Sequence, residues 1–171
     1  MEDSRDHASW QNWFHQHGPK LLLCARQWTR SADDAEDVVQ DAFVRFWRHQ
    51  RHLPGEPIAL LLTSIRRAAL DRARANDRRS LREDRALAGL DGWTPCFETA
   101  LDGEERRALV EGALQRLPSD QREVLVLKIW GELTFEQIGG TLEISPNTAA
   151  SRYRYALGAL RRELKSAECH G

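Results

Sequence analysis

A chain of 171 residues has room for one medium domain or two small helical ones. Its 25 Lys and Arg stand against 26 Asp and Glu for a formal net charge of -1, so any charge-driven recognition must be local and not a property of the whole surface. Cys24, Cys96 and Cys169 are far apart and show no CxxC spacing, which argues against a disulfide framework or a zinc site; no N-terminal apolar core reads as a signal peptide, no apolar run reaches membrane length, and a reducing cytoplasm is the expected setting.

Leu, Ala, Arg and Glu dominate, and Val and Ile sit within helical patterns, so the chain reads as all-α. A first helix is expected over Ala8 to His17, with Trp10, Trp13 and Phe14 at helical spacing as core residues. Gly18 and Pro19 are expected to interrupt it, Pro19 starting a second helix that runs through Trp28. The segment SADDAEDVVQDAFVRFWRH follows. Asp33, Asp34, Glu36 and Asp37 crowd a helix start, where the macrodipole favours negative charge, and Val39, Phe43, Phe46 and Trp47 recur at spacings of three and four. Capping accounts for the first acidic residues but not for Gln40 or Asp41, so Asp37, Gln40 and Asp41 are read as a polar stripe for a protein partner.

Pro54, Gly55 and Pro57 mark a loop before helical periodicity resumes from Ile58 to Arg74. Arg66, Arg67, Arg72, Arg74, Arg78 and Arg79 outnumber Asp71 and Asp77 there, which suits contacts to phosphates. From Ser80 to Glu104 acidic residues return, Gly89, Gly92, Pro95 and Gly103 punctuate the chain and periodicity fades, as expected of a linker. Two small helical domains, 1–79 and 105–171, joined by the linker 80–104, are therefore expected.

Helical pattern returns over Arg106 to Leu117, and Pro118, Ser119 and Asp120 begin the helix SDQREVLVLKIW. Its Val124, Leu125, Leu127 and Ile129 are expected to pack inside, with Gly131 ending it. Thr134 and Gln137 have capping-box spacing, and Ser145 with Pro146 supplies an N-cap and a pre-set first helical position. Two helix starts so close together, with Ile138, Leu142 and Ile144 as an apolar wedge and Gly139 admitting close backbone approach, spell a helix-turn-helix. The second helix carries Arg152, Arg154, Arg161, Arg162 and Lys165 as exposed basic positions against Glu163 alone.

DDAEDVVQDAFVRFW, followed at a distance by LPSDQREVLVLKIWGELTFEQIGGTLEISPNTAASRYRYALGALRREL, resembles the bacterial extracytoplasmic-function (ECF) sigma factors, and the resemblance covers both domains in order. It implies an alternative sigma factor: region 2 binding RNA polymerase core and the melted minus-10 element, region 4 reading the minus-35 duplex. Asp37, Gln40, Asp41 and Phe43 match the segment that docks on the polymerase largest subunit. Arg66, Arg67, Arg72 and Arg74 lie in the element that approaches the minus-10 strand, and the Pro-Gly loop before it resembles the one that captures an unstacked base. Asn147, Thr148, Ser151, Arg152, Arg154 and Tyr155 lie on the matching recognition helix as candidates for base and phosphate contacts. The implied partners are the polymerase core through its beta and beta-prime subunits, promoter DNA and an anti-sigma factor, with no small-molecule substrate, cofactor or metal.

The chain departs from the family pattern where Arg67 replaces a usual Asn, where Asn147, Thr148, Ala149 and Ala150 replace a Gly-Thr-Val-basic start, and at Gly140, usually a charged helix former. Promoter preference does not carry over. A stand-alone helix-turn-helix regulator of duplex DNA is the alternative; it leaves DAEDVVQDAF and the basic helix without a role. The pairs His15 with His17 and His49 with His52 lack acidic or cysteine ligands at matching spacing, which speaks against a metal site or an enzyme.

Overall fold

The computed structural model describes the backbone of residues 2–83 and 104–168, with side chains from 9 to 79 and from 109 to 166 apart from Glu111. Among the described residues every regular element is an α-helix: α1 (Glu2–Ala25), α2 (Ala32–His49), α3 (Pro57–Glu83), α4 (Glu104–Arg116), α5 (Ser119–Ile129), α6 (Phe135–Leu142) and α7 (Pro146–Glu168). They divide into two units, Met1–Asp84 and Arg85–Gly171. Most of the expected linker, including Gly89, Gly92, Pro95, Cys96 and Gly103, lies outside the described residues, as does Cys169.

In the first unit α1, α2 and α3 all pack on one another. The expected break at Gly18 and Pro19 does not occur: α1 is continuous with Pro19 inside it. An interior proline forfeits a hydrogen bond and crowds the preceding turn, a cost of about 3 kcal/mol relative to Ala. Both halves of α1 repay that by burial. Leu21, Leu23, Cys24 and Ala25 are buried beyond the proline, and Trp10, Trp13 and Phe14 lean on α2 before it. The Trp stripe packs on α2, as its spacing suggested, but is half-buried and not interior: Trp10 meets Phe46 edge-on at 5.4 Å and Trp47 at 5.8 Å, and Trp13 stacks on Phe43 at 6.4 Å.

Ser31 caps α2, its Oγ accepting the Asp34 N–H at 3.1 Å, and the first turn holds Asp33 and Asp34 while Arg48 and His49 occupy the last. Both ends therefore complement the helix dipole. The buried face is Ala35, Val38, Val39, Ala42 and Phe46. The α3 face opposite is Leu61, Leu62, Ile65 and Ala69, all nearly inaccessible. Beyond Arg74 the helix continues to Glu83. Cys24 is wholly buried, and removal from water pushes its thiol up to about 12.

In the second unit α7 packs on α4, α5 and α6. Leu114, Leu117, Leu125 and Ala156 centre a core on which Val110, Trp130, Tyr153, Leu157 and Leu160 rest. Four successive α5 residues, Val124 to Leu127, are buried, so the middle turn of this helix is enclosed while its two ends reach the surface. Ile129 was expected inside and is 41% exposed; it lies in the last turn, and its place in the core is taken by Val126, which the periodic reading omitted. Gly131 does terminate α5: its N–H donates to the Val126 carbonyl at 3.2 Å, and a Cβ there would lie 2.6 Å from the Leu127 oxygen.

Candidate nucleic-acid interface

The turn between α6 and α7 is built as the residue spacing requires. Thr134 Oγ1 accepts the Gln137 N–H at 3.2 Å while the Gln137 side chain accepts the Thr134 N–H at 2.9 Å, closing a reciprocal capping box. Ser145 Oγ accepts the Thr148 N–H at 3.1 Å and lies 2.8 Å from the Thr148 hydroxyl, so α7 starts firmly at Pro146. Between them Glu143 takes the left-handed conformation, with φ of 60°, and the Ile144 N–H donates to the Gly139 carbonyl at 3.0 Å. Glycine or asparagine is usual at such a position, and nothing in the sequence pattern marks Glu143 for it.

Gly139 sits where the chain folds back: a Cβ would lie 2.7 Å from the Ile144 carbonyl oxygen. Its neighbour Gly140 is exposed, and a Cβ there meets nothing within 4 Å. No contact explains that glycine. Gly140→Ala should therefore stabilise α6 by about 1 kcal/mol, read as a higher melting temperature with unchanged DNA binding.

Along α7, Asn147, Ser151, Arg154 and Tyr155 follow helical spacing on one face, and Asn147, Arg154 and Tyr155 are exposed, Tyr155 at 70%. Arg154 lies 3.4 Å from Ser151 Oγ. The other tyrosine turns inward, Tyr153 meeting the edge of Phe135 at 5.6 Å. Arg152 departs from the expected exposed basic row. Its Nε lies 3.3 Å from Asp120 Oδ2 at the start of α5, and it is partly buried. Glu163 likewise faces Arg116 of α4 at 2.7 Å and not the arginines of its own helix. Thr148 is exposed, with its hydroxyl committed to the Ser145 cap.

In the first unit Gln40 and Asp41 are exposed on α2, as is Val44 one turn further, so the expected stripe is a real surface. Phe43 beside it is half-buried, its ring against Phe14 at 4.5 Å. Beside Gln40 runs an apolar groove of about 280 Å³ lined by Phe14, Pro19, Leu22 and Val39. Asp37 is exposed but engaged, its Oδ2 3.2 Å from Arg72 Nη2, with Asp34 Oδ1 3.8 Å from the same side chain.

The arginines of α3 thus differ. Arg67 is exposed, and Arg74 is paired loosely with Asp71 at 3.6 Å. Arg66 is half-buried, and its Nε has no hydrogen-bond partner. Asp77 is held by Arg30 at 2.6 Å. Before α3, in the Pro-Gly loop, Leu53 is 52% exposed and Arg51 lies over the Trp47 ring at 4.4 Å. Sequence reasoning missed Asp34, Arg30 and Asp120, because each acts through a partner more than thirty residues away.

Residues 13–79 match the family model of Sigma-70 region 2, and residues 107–160 that of Sigma-70, region 4. The ECF RNA polymerase sigma factor SigK of Mycobacterium ulcerans (strain Agy99) is 35% identical over 137 residues, covering 77% of this chain and 73% of the relative. This chain belongs to the ECF sigma factors. SigK of Mycobacterium bovis (strain BCG / Pasteur 1173P2) is 28% identical over 161 residues, which spans 91% of this sigma factor and 86% of the relative. Among solved structures, the sigma factor RpoE of Bartonella quintana, crystallised with the anti-sigma factor NepR, shares the fold with a TM-score of 0.70 at 24% identity, over 92% of this chain and 97% of that one. ECF sigma factors are initiation factors and not enzymes, and this one is an alternative sigma factor. No helix among its described residues is long and apolar enough to cross a membrane, and no cluster of three or more potential metal ligands occurs among them.

Proposed function

We propose that the α2 stripe of Asp37, Gln40 and Asp41 docks on RNA polymerase core, that the α3 arginines and the Pro-Gly loop hold the melted minus-10 strand, and that α7 reads the minus-35 duplex through Asn147, Ser151, Arg154 and Tyr155. The observation that carries this reading is the exposure of two separate polar surfaces, Gln40 with Asp41 on one unit and Asn147 with Arg154 and Tyr155 on the other. A stand-alone duplex binder has use for only the second. Within α7, Arg152 acts through Asp120 as a positioning residue, fixing the angle at which α7 leaves its own domain. Phe43 acts in the same way beside the docking stripe.

Strand capture needs no hydrolysis. Extruding a base costs a few kcal/mol of stacking and pairing, which apolar loop contacts and arginine–phosphate pairs can offset. Leu53 and Arg67 supply those two kinds of contact. An anti-sigma factor that covered Gln40 and the adjoining apolar groove would block polymerase docking, and this is the proposed mode of restraint in the cytoplasm.

Run-off transcription and footprinting with purified bacterial core polymerase on a genomic fragment library should show initiation that depends on this chain. Asp41→Arg should lower that initiation by roughly tenfold or more without lowering the melting temperature, because the new charge opposes whatever the stripe faces. Duplex footprints without core-dependent initiation would make the chain a stand-alone regulator and remove the docking role from Asp37, Gln40 and Asp41.

A further inference from the structure

One guanidinium stands between the two functions assigned to the first unit. Arg72 comes from the helix proposed to hold DNA, and both carboxylates that face it come from the helix proposed to meet polymerase: Asp37 at 3.2 Å and Asp34 at 3.8 Å. Around it Trp28, Thr29, Arg30, Asp34, Ala73 and Asn76 line a small cleft between α3 and the start of α2. Arg30 is itself tied to Asp77 at 2.6 Å. Three carboxylates, Asp34, Asp37 and Asp77, therefore confront two guanidiniums, Arg30 and Arg72. Arg74 and Arg78 lie beside Asp77 on the same helix, so charges of both signs crowd this point and Arg72 itself is committed to carboxylates.

We infer that Arg72 is a latch shared between the two surfaces: Asp34 and Asp37 hold it in the free chain, and engagement of Asp37 by a cationic group of the polymerase releases it to a phosphate of the captured strand. This rests on the docking and strand-holding roles proposed above. The pair is exposed on both sides, Arg72 at 39% and Asp37 at 60%, so water and salt weaken it and exchange of partners is easy. A planar guanidinium also accepts a phosphate in the same forked geometry as a carboxylate, so the exchange needs side-chain rotation and no refolding. Linkage makes the effect reciprocal: strand bound at Arg72 leaves Asp37 without its partner and raises affinity for the polymerase by the same factor.

The test is a two-by-two cycle of Asp37→Asn and Arg72→Gln in the full chain without polymerase, with binding of a fluorescent single-stranded oligonucleotide followed by anisotropy over a range of salt. Asp37→Asn should tighten binding about three- to fivefold at low salt and steepen the logarithmic salt dependence by about 0.7, the value of one added single-strand phosphate contact. In the Arg72→Gln background the same change should bring no gain. Asp33→Asn removes equal charge from the same helix and should give less than half the improvement. A gain that persists without Arg72, a gain matched by Asp33→Asn, or no gain at all would overturn the latch. None of these readings involves polymerase, so failure of the docking role, seen as absent core-dependent run-off, is distinguished from failure of the latch.

Discussion

Gly139→Ala is expected to disable the second unit although it replaces the poorest helix former but proline with the best. On propensity alone the change gains about 1 kcal/mol. The geometry reverses the sign: the new methyl would lie 2.7 Å from the Ile144 carbonyl oxygen and 3.4 Å from the Pro146 nitrogen, both backbone atoms of the turn. Backbone cannot rotate aside as a flexible side chain can, so the turn must open, at a net cost of about 1–3 kcal/mol. The Ile144 to Gly139 hydrogen bond lengthens with it, and the angle between α6 and α7 changes. Minus-35 duplex binding should fall by more than the loss of stability alone requires, because surviving folded molecules present α7 wrongly. The adjacent Gly140→Ala is the internal control, with the same chemistry one residue away and the opposite sign. Thermal melts and duplex titrations of the two variants together check the argument; equal effects would mean that the close approach at Gly139 does not govern the turn.

Phe46→Ala should be the most damaging change in the first unit. The ring is 1% exposed and meets Trp10 of α1 edge-on at 5.4 Å. Truncation of a buried phenylalanine costs about 3–5 kcal/mol, through lost transfer energy and the cavity left behind. A three-helix unit of this size has a total stability near the low end of about 5–15 kcal/mol, so the variant should be substantially unfolded near 37 °C. Hydrogen exchange should show protection lost across α1, α2 and α3 and retained in α5 to α7. Phe46→Leu, which keeps most of the volume, should recover most of the protection. If α2 alone lost protection, the cooperative packing of the three helices would be wrong.

The local signals were legible because each works within one turn of chain. Thr134 with Gln137, and Ser145 with Pro146, can be recognised without knowing what the helices touch, and the structure closes both caps. The Trp10, Trp13 and Phe14 stripe was legible for a similar reason, since helical spacing alone puts those rings on one face. Pro19 was misread because the energy that keeps α1 continuous comes from residues on other helices, Phe43 and Phe46 among them. The same holds for the charges. Arg72 and Arg152 look like free cations in sequence, and only folding brings Asp37 and Asp120 to them across thirty residues or more. Ile129 fits the apolar pattern of α5 but falls where that helix leaves its neighbours. Glu143 shows the limit of composition: a left-handed residue that is not glycine gives no warning.

Cys24 has a practical meaning for anyone attaching a probe to this molecule. With its thiol pushed up to about 12 by burial and no surface access, Cys24 stays in the unreactive protonated form. Alkylating dyes and mild oxidants will pass it by while the chain is folded. Once Cys96 and Cys169 are replaced, a single cysteine introduced at Asp41 or Tyr155 becomes the one address for a crosslinker or fluorophore, and any label later found on Cys24 reports that the first unit has opened.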